Sequence, residues 1–210
     1  MTIRFLFDFV SPYAFLAWRQ LRREGDLDVS PVPVLFAGLL NAHGQKGPAE
    51  IEAKRRYVFR DVSRKAEREG LTIAAPHTHP FNPLLALRVV CAADPSERSD
   101  VVDALFDATW TRGVPVTTPA DLRPILGSAA ERLLTSAVTP AVKDQLRAHT
   151  DEAIACGVFG VPTMLVGTEL FWGTDSVDFA ILASRGLLPP LPAERVAAWD
   201  KVTASASRLS

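Results

Sequence analysis

A chain of 210 residues, 48% of them hydrophobic, can bury a full core but is short for two large domains. Its 23 basic and 24 acidic residues leave a net charge of −1, so no bulk field draws it to nucleic acid or to an anionic membrane surface. No apolar run reaches the roughly 20 residues that span a bilayer, and Arg4 and Asp8 interrupt the stretch that would have to be a signal peptide, so a cytoplasmic protein is expected.

Residues 3–9 predict an aromatic, β-rich strand. It stops at Ser11-Pro12, with Ser11 ahead of a first helical turn and Pro12 at a position where a missing N–H costs nothing. That helix runs to about residue 24, burying Phe15, Leu16 and Leu21 and ending at Gly25. Residues 26–36 read as a second strand, which Pro31 and Pro33 mark as an edge or irregular one. A right-handed crossover makes the two strands parallel.

Residues 37–47 form a short helix or loop, and 49–69 a long charged helix closed by Gly70. After a loop at 71–80, Asn82-Pro83 opens a helix by the same cap-then-proline logic. Helical spacing continues at 96–111, 119–126, 129–136 and 140–155, a block of about 100 residues without a strand. Strand character returns at 161–166 and 169–172, joined by Gly167-Thr168, a pair compatible with a type II′ turn. Thr174 or Asp175 caps a helix at 177–184, and 188–210 is a tail or docked terminal helix. The order is an α/β, thioredoxin-like βαβ…ββα fold with a helical domain inserted between its halves. Its segments are 1–40 and 157–187 for the thioredoxin-like domain and 41–156 for the insertion.

Three motifs carry chemistry, each with a plainer reading beside it. Ser11 is either an N-cap alone or a hydroxyl placed at the positive end of a helix dipole, where an anion is held. Pro162 is either an ordinary trans proline at a strand start or a cis-proline facing the first helix. The cis form leaves the Val161 backbone free to pair with an extended ligand. In Trp172-Gly173-Thr174-Asp175, either Asp175 caps a helix and Trp172 is core, or helix amides take a carboxylate while Asp175 takes an ammonium, as an amino acid presents them. Ser11-Pro12-Tyr13-Ala14 stands where dithiol exchange needs Cys-x-x-Cys, which excludes that chemistry there. Cys91 and Cys156 have no metal-type spacing and read as packed, reduced thiols. His77-Thr78-His79 lacks a legible third ligand, so no metal is expected; His43 and His149 have no readable partner.

The opening Phe7-Asp8-Phe9-Val10-Ser11-Pro12-Tyr13-Ala14-Phe15, with Val158-Phe159-Gly160-Val161-Pro162-Thr163 and Trp172-Gly173-Thr174-Asp175, resembles the 2-hydroxychromene-2-carboxylate isomerase family. That family is similar to kappa-class glutathione transferases and, more distantly, to DsbA-like oxidoreductases. Lys54, Tyr57, Asp61, Arg64, Gly70 and Pro80-Phe81-Asn82-Pro83-Leu84 match the family's helical insertion, so the resemblance covers residues 3–187. It implies glutathione as cofactor: Ser11 on its sulfur, Val161 beside Pro162 on its cysteinyl part, and Trp172, Gly173, Thr174 and Asp175 on its γ-glutamyl end. The thiolate would add reversibly to an unsaturated aromatic or α-keto acid, a small-molecule substrate, in a cis/trans isomerisation. A kappa-like transferase or peroxidase is the second reading, and a non-catalytic glutathione- or peptide-binding module the third. The family's substrate-contacting Lys and Asn positions fall near Leu40 and Glu50, which leaves Asn41 or Lys46 to substitute for them; Lys54, Arg55 and Arg88 are candidates for an anionic substrate, with a solvated helix face the plainer reading of the first two. The resemblance also implies a homodimer.

Overall fold

The structure, a computed structural model, describes residues 1–204. Strands β1 (Ile3–Phe7), β2 (Val29–Pro33), β3 (Thr163–Val166) and β4 (Glu169–Trp172) form a mixed sheet in the order β2-β1-β3-β4. β2 runs parallel to β1 with Ile3 opposite Val29, and β3 runs antiparallel to β1 with Leu6 opposite Thr163. Pro31 and Pro33 can therefore sit in β2 because it is an edge strand. β3 and β4 are joined through Gly167, which has φ of +60°, whereas no non-glycine residue among the described residues has positive φ. Thr168 thus excludes a type I′ turn and leaves type II′.

Alternation along β1 builds the core on both faces of the sheet. Ile3, Phe5 and Phe7 enter one apolar cluster and Leu6 the other. On the aromatic face Phe7 packs edge-to-face against Phe9 and tilted against Phe106, with Phe9 and Phe106 ring centroids 4.8 Å apart. Helix α1 (Pro12–Arg23) lies on this face, burying Phe15, Leu16 and Leu21 and also Trp18, whose Nε1 donates to Asp103 at 2.6 Å. The same cluster continues into α3 (Glu52–Arg68), α4 (Leu84–Ala92), α5 (Arg98–Phe106), α6 (Pro119–Leu126) and α7 (Ala130–Ala137). On the opposite face, Leu6 and Leu165 pack with Leu39 of α2 (Phe36–Ala42) and Ala153 of α8 (Pro140–Ala155).

Several expected boundaries move. β1 and β2 are shorter than 3–9 and 26–36, and the residues released from β1 form the loop into α1. Residues 96–111 are not one regular helix: Asp107–Thr111 widen into a π turn. There Ala74 N–H claims the Trp110 carbonyl at 2.7 Å, and Trp110 Nε1 donates to the Phe9 carbonyl at 2.9 Å, tertiary bonds that local spacing does not show. Asn82 does not cap directly; its side chain accepts from Leu84 N–H in an Asx-type turn, and α4 starts one residue later than a Pro-first helix would. Helix α9 (Val177–Ser184) follows a 3-10 turn at Thr174–Ser176, and neither Thr174 nor Asp175 caps it. Helix α10 (Ala193–Asp200) forms, but all of its residues are exposed, so it is not docked. Residues 205–210 of the expected tail lie outside the described residues. No helix among the described residues is long and apolar enough to cross a membrane.

Candidate functional site

The site begins where β1 hands over to α1. Ser11 is the N-cap: its Oγ accepts the Ala14 N–H at 3.2 Å, and Pro12 takes the first helical position. Oγ also donates to the Val161 carbonyl across the sheet, at 3.5 Å, the long limit of such a bond. Ser11 is 7% exposed.

The loop before Ser11 is held by hydrogen bonds from several directions. Asp8, fully buried, accepts Val10 N–H at 3.0 Å and Phe36 N–H at 2.9 Å through its carboxylate, while its carbonyl accepts Ser11 N–H at 3.0 Å. Burial pushes the Asp8 carboxyl up to about 7 despite those two amide bonds. His79 Nε2 lies 2.8 Å from the Val10 carbonyl, and Trp110 Nε1 holds Phe9 as above. Facing a carbonyl, Nε2 must carry the proton. Burial keeps the ring's pKa below the ordinary value, so Nδ1 is bare and has no hydrogen-bond partner. The imidazole is boxed by Phe59, Phe81 and Trp110.

Opposite the start of α1, the Val161–Pro162 peptide bond is cis. The sheet ladder begins at Thr163, which leaves the Val161 backbone beyond it. Pro162 carbonyl accepts Gly173 N–H at 3.0 Å and ties the two motifs together. Trp172 is 51% exposed and packs at a tilt against Phe159 with centroids 5.0 Å apart; it is a wall, not core. Gly173 has φ of +88°, and a Cβ there would lie 2.6 Å from Asp175 Oδ1; at Gly160 a Cβ would meet Trp172 Nε1 at 2.8 Å. Gly173 is demanded by its positive φ, and Gly160 by the close approach of the Trp172 ring.

Tyr13, Lys65, Val161, Pro162, Trp172, Gly173, Thr174 and Asp175 line a cavity of about 170 Å³. Thus the structure brings Val161, Pro162 and all four residues of the Trp172–Asp175 motif around one space, with Ser11 behind the Val161 wall. Tyr13 and Lys65 complete the lining. Tyr13 OH donates to Asp61 at 2.8 Å, and Lys65 Nζ lies 3.0 Å from the same carboxylate and 5.2 Å from the Tyr13 ring centroid. Burial raises the Asp61 carboxyl, but the Lys65 and Tyr13 bonds outweigh it and hold it below the ordinary range; burial and Asp61 together push the Tyr13 phenol up. Tyr13 is therefore a neutral donor bound to an anion.

The DSBA-like thioredoxin domain family matches residues 2–182. The chain belongs to that family. A 2-hydroxychromene-2-carboxylate isomerase of Sphingobium xenophagum is 30% identical over 85% of this chain and 95% of its own length. The human protein named glutathione S-transferase kappa 1 is 26% identical over 91% of this chain and 94% of its own. A solved 2-hydroxychromene-2-carboxylate isomerase structure superposes with a TM-score of 0.75 at 24% identity, covering 95% of this chain and 98% of that one, which shows the shared fold.

In this DsbA-like chain neither cysteine stands at the start of α1. Cys91 is buried in α4, where burial pushes its thiol up to about 12, and Cys156 is exposed at the end of α8. None of Asn41, Lys46, Lys54 and Arg88 lines the cavity: the first three are exposed, and Arg88 lies in α4 with its Nε buried and unpartnered. His43 and His149 have partners after all, the carbonyls of Val158 at 3.1 Å and Pro33 at 3.3 Å. Among the described residues no group of three or more His, Cys, Asp or Glu is clustered for a metal.

Sequence reasoning missed Asp8, His79 and Trp110 as holders of the Ser11 loop and Lys65 as cavity wall. An aspartate inside the apolar run Phe7-Asp8-Phe9 was the available signal, because a carboxylate there needs backbone partners. Nothing local distinguishes Lys65 from the other cations of α3.

Proposed function

We propose that this chain is a glutathione-dependent cis/trans isomerase of the 2-hydroxychromene-2-carboxylate isomerase type. The observation that carries the reading is the cavity between α1 and the β3–β4 edge, with unladdered Val161 at one end, the Ser11 hydroxyl bonded to its carbonyl from behind, and Asp175 in the same lining. Relatives of that name at 29% and 30% identity, spanning 90% and 85% of this chain, support the reaction class.

The residues present fit glutathione. Its cysteinyl backbone finds Val161, whose N–H and carbonyl edge lies outside the sheet ladder. Its γ-glutamyl ammonium finds the Asp175 carboxylate, and the two glycines keep the cradle clear where a Cβ would strike Trp172 or Asp175. Its sulfur belongs at Ser11, at the positive end of the α1 dipole. A bound glutathione thiolate supplies the nucleophile for reversible addition to a conjugated double bond, which frees rotation about it.

Ser11 is too weak an acid to serve as base, and its task is donation. The proton it spends on a 3.5 Å contact with the Val161 carbonyl can turn toward a sulfur anion at little cost. Asp8, His79 and Trp110 fix the loop so that the hydroxyl is aimed beforehand. The kappa-named relatives favour one rival, in which the glutathione adduct leaves as product. An assay on 2-hydroxychromene-2-carboxylate and on a chloroaromatic electrophile, each with and without glutathione, separates the two. Glutathione-dependent isomerisation without net glutathione consumption is expected. Glutathione consumption on the chloroaromatic alone would make the chain a transferase, and inactivity on both would remove the enzyme reading.

A further inference from the structure

We infer that Lys65 is a specificity-determining residue of the cavity, reading the α-carboxylate of an α-amino acid head group whose ammonium is taken by Asp175. This rests on the glutathione reading above and assigns the γ-glutamyl carboxylate to a side chain of the helical segment, not to helix amides.

Lys65 and Asp175 are the two charged residues in the cavity lining, one of each sign. They come from separate walls, Lys65 from α3 and Asp175 from the turn after β4. An α-amino acid head presents the same pair of charges on adjacent bonds, so a cavity with one cation and one anion matches it. The volume of about 170 Å³ is below the roughly 300 Å³ at which whole drug-sized ligands are enclosed, as suits a head group with the rest of the molecule running out along Val161.

Helix α9 itself presents no N-terminus to that carboxylate, and the turn before it offers only the single amides of Thr174 and Asp175. α9 begins only at Val177, behind a three-residue 3-10 turn in which Ser176 N–H is already bonded to the Gly173 carbonyl at 3.3 Å and Gly173 N–H to Pro162. Lys65 has spare capacity. Its ammonium carries three donors, of which Asp61 takes one at 3.0 Å, and its side chain is 30% exposed. Asp61, bonded also to Tyr13 OH, stays ionised and holds the ammonium over the Tyr13 ring, so the cation is aimed and not free to wander. Asp61 is thus a positioning residue, and Lys65 the contact.

The test is calorimetric titration of wild type, Lys65→Met and Lys65→Arg with four ligands. These are glutathione, its analogue with hydrogen replacing the γ-glutamyl α-carboxylate, its analogue lacking the α-amino group, and its glycyl ethyl ester. Wild type should bind the decarboxylated analogue about tenfold more weakly than glutathione and the glycyl ester about equally. Lys65→Met should bind glutathione as weakly as wild type binds the decarboxylated analogue and no longer separate the two, while still rejecting the deaminated one. Lys65→Arg should retain discrimination. If Lys65→Met still separates glutathione from the decarboxylated analogue tenfold, or if the glycyl ester is the ligand that loses affinity in wild type, the assignment is overturned while the glutathione reading stands. If wild type gives no glutathione heat at all, the functional reading falls and this assignment with it.

Discussion

Asp8→Asn is the perturbation that probes the loop beneath Ser11 most sharply. The Asp8 carboxyl moves from 3.8 to about 7 on folding because burial opposes its charge. At about 1.36 kcal/mol per pH unit this corresponds to roughly 4 kcal/mol between its two protonation states. The sign follows from proton binding. Between these values the folded chain holds a proton that the unfolded chain has lost, so the Asp8 contribution is full below pH 3.8 and drains as pH rises through about 7. Asparagine cannot titrate and offers one acceptor oxygen to two amides, Val10 and Phe36, so at acid pH the variant should be less stable by about 1–3 kcal/mol. The difference should then move by about 2 kcal/mol in the variant's favour between pH 5 and pH 7, passing through zero, and stay level above about pH 8. Urea unfolding of both proteins across this range measures it. His79 and His149, whose burial lowers their pKa values, add stability as pH rises, but they are common to both proteins and cancel in the difference. A difference that is constant, or that moves in the wild type's favour toward pH 7, would refute the buried-carboxyl reasoning.

Ser11→Ala should cost about 1 kcal/mol in urea unfolding, because Ala14 N–H loses its cap acceptor. Gly173→Ala meets both an unfavourable φ of +88° and a Cβ 2.6 Å from Asp175 Oδ1. It should lose about 1–3 kcal/mol of stability and weaken glutathione binding in calorimetry, whereas unchanged affinity would place the ligand elsewhere. Trp110→Phe leaves the Phe9 carbonyl without its donor, so a loss of about 1–3 kcal/mol in the same unfolding assay is expected.

The thioredoxin-like halves were legible because their signals are local: an aromatic strand ending in Ser11-Pro12, a Gly-Thr turn, and prolines confined to an edge. The alternatives left open at Trp172 and Asp175 needed three dimensions. Exposure decides that Trp172 is a wall, and the 3-10 turn decides that Asp175 is not a cap. What stayed hidden is long-range. Trp110 leaves a regular helix because Phe9 and Ala74, distant in sequence, claim its polar atoms. Lys65 stands in a helix with Lys54, Arg55, Arg56, Arg60 and Arg64, and only the packing of α3 on α1 selects it for the cavity. The substrate candidates Asn41, Lys46, Lys54 and Arg88 came from family positions and charge, signals that carry no cavity geometry.

The proposed role of Ser11, at the head of α1, is to keep a bound glutathione sulfur ionised. This is measured directly by the ultraviolet absorbance of the thiolate, followed against pH with saturating protein, for wild type and Ser11→Ala. The bound thiol should titrate below the ordinary value of about 8.5 in wild type and move back toward it in Ser11→Ala. A bound thiol that titrates identically in both proteins would contradict it.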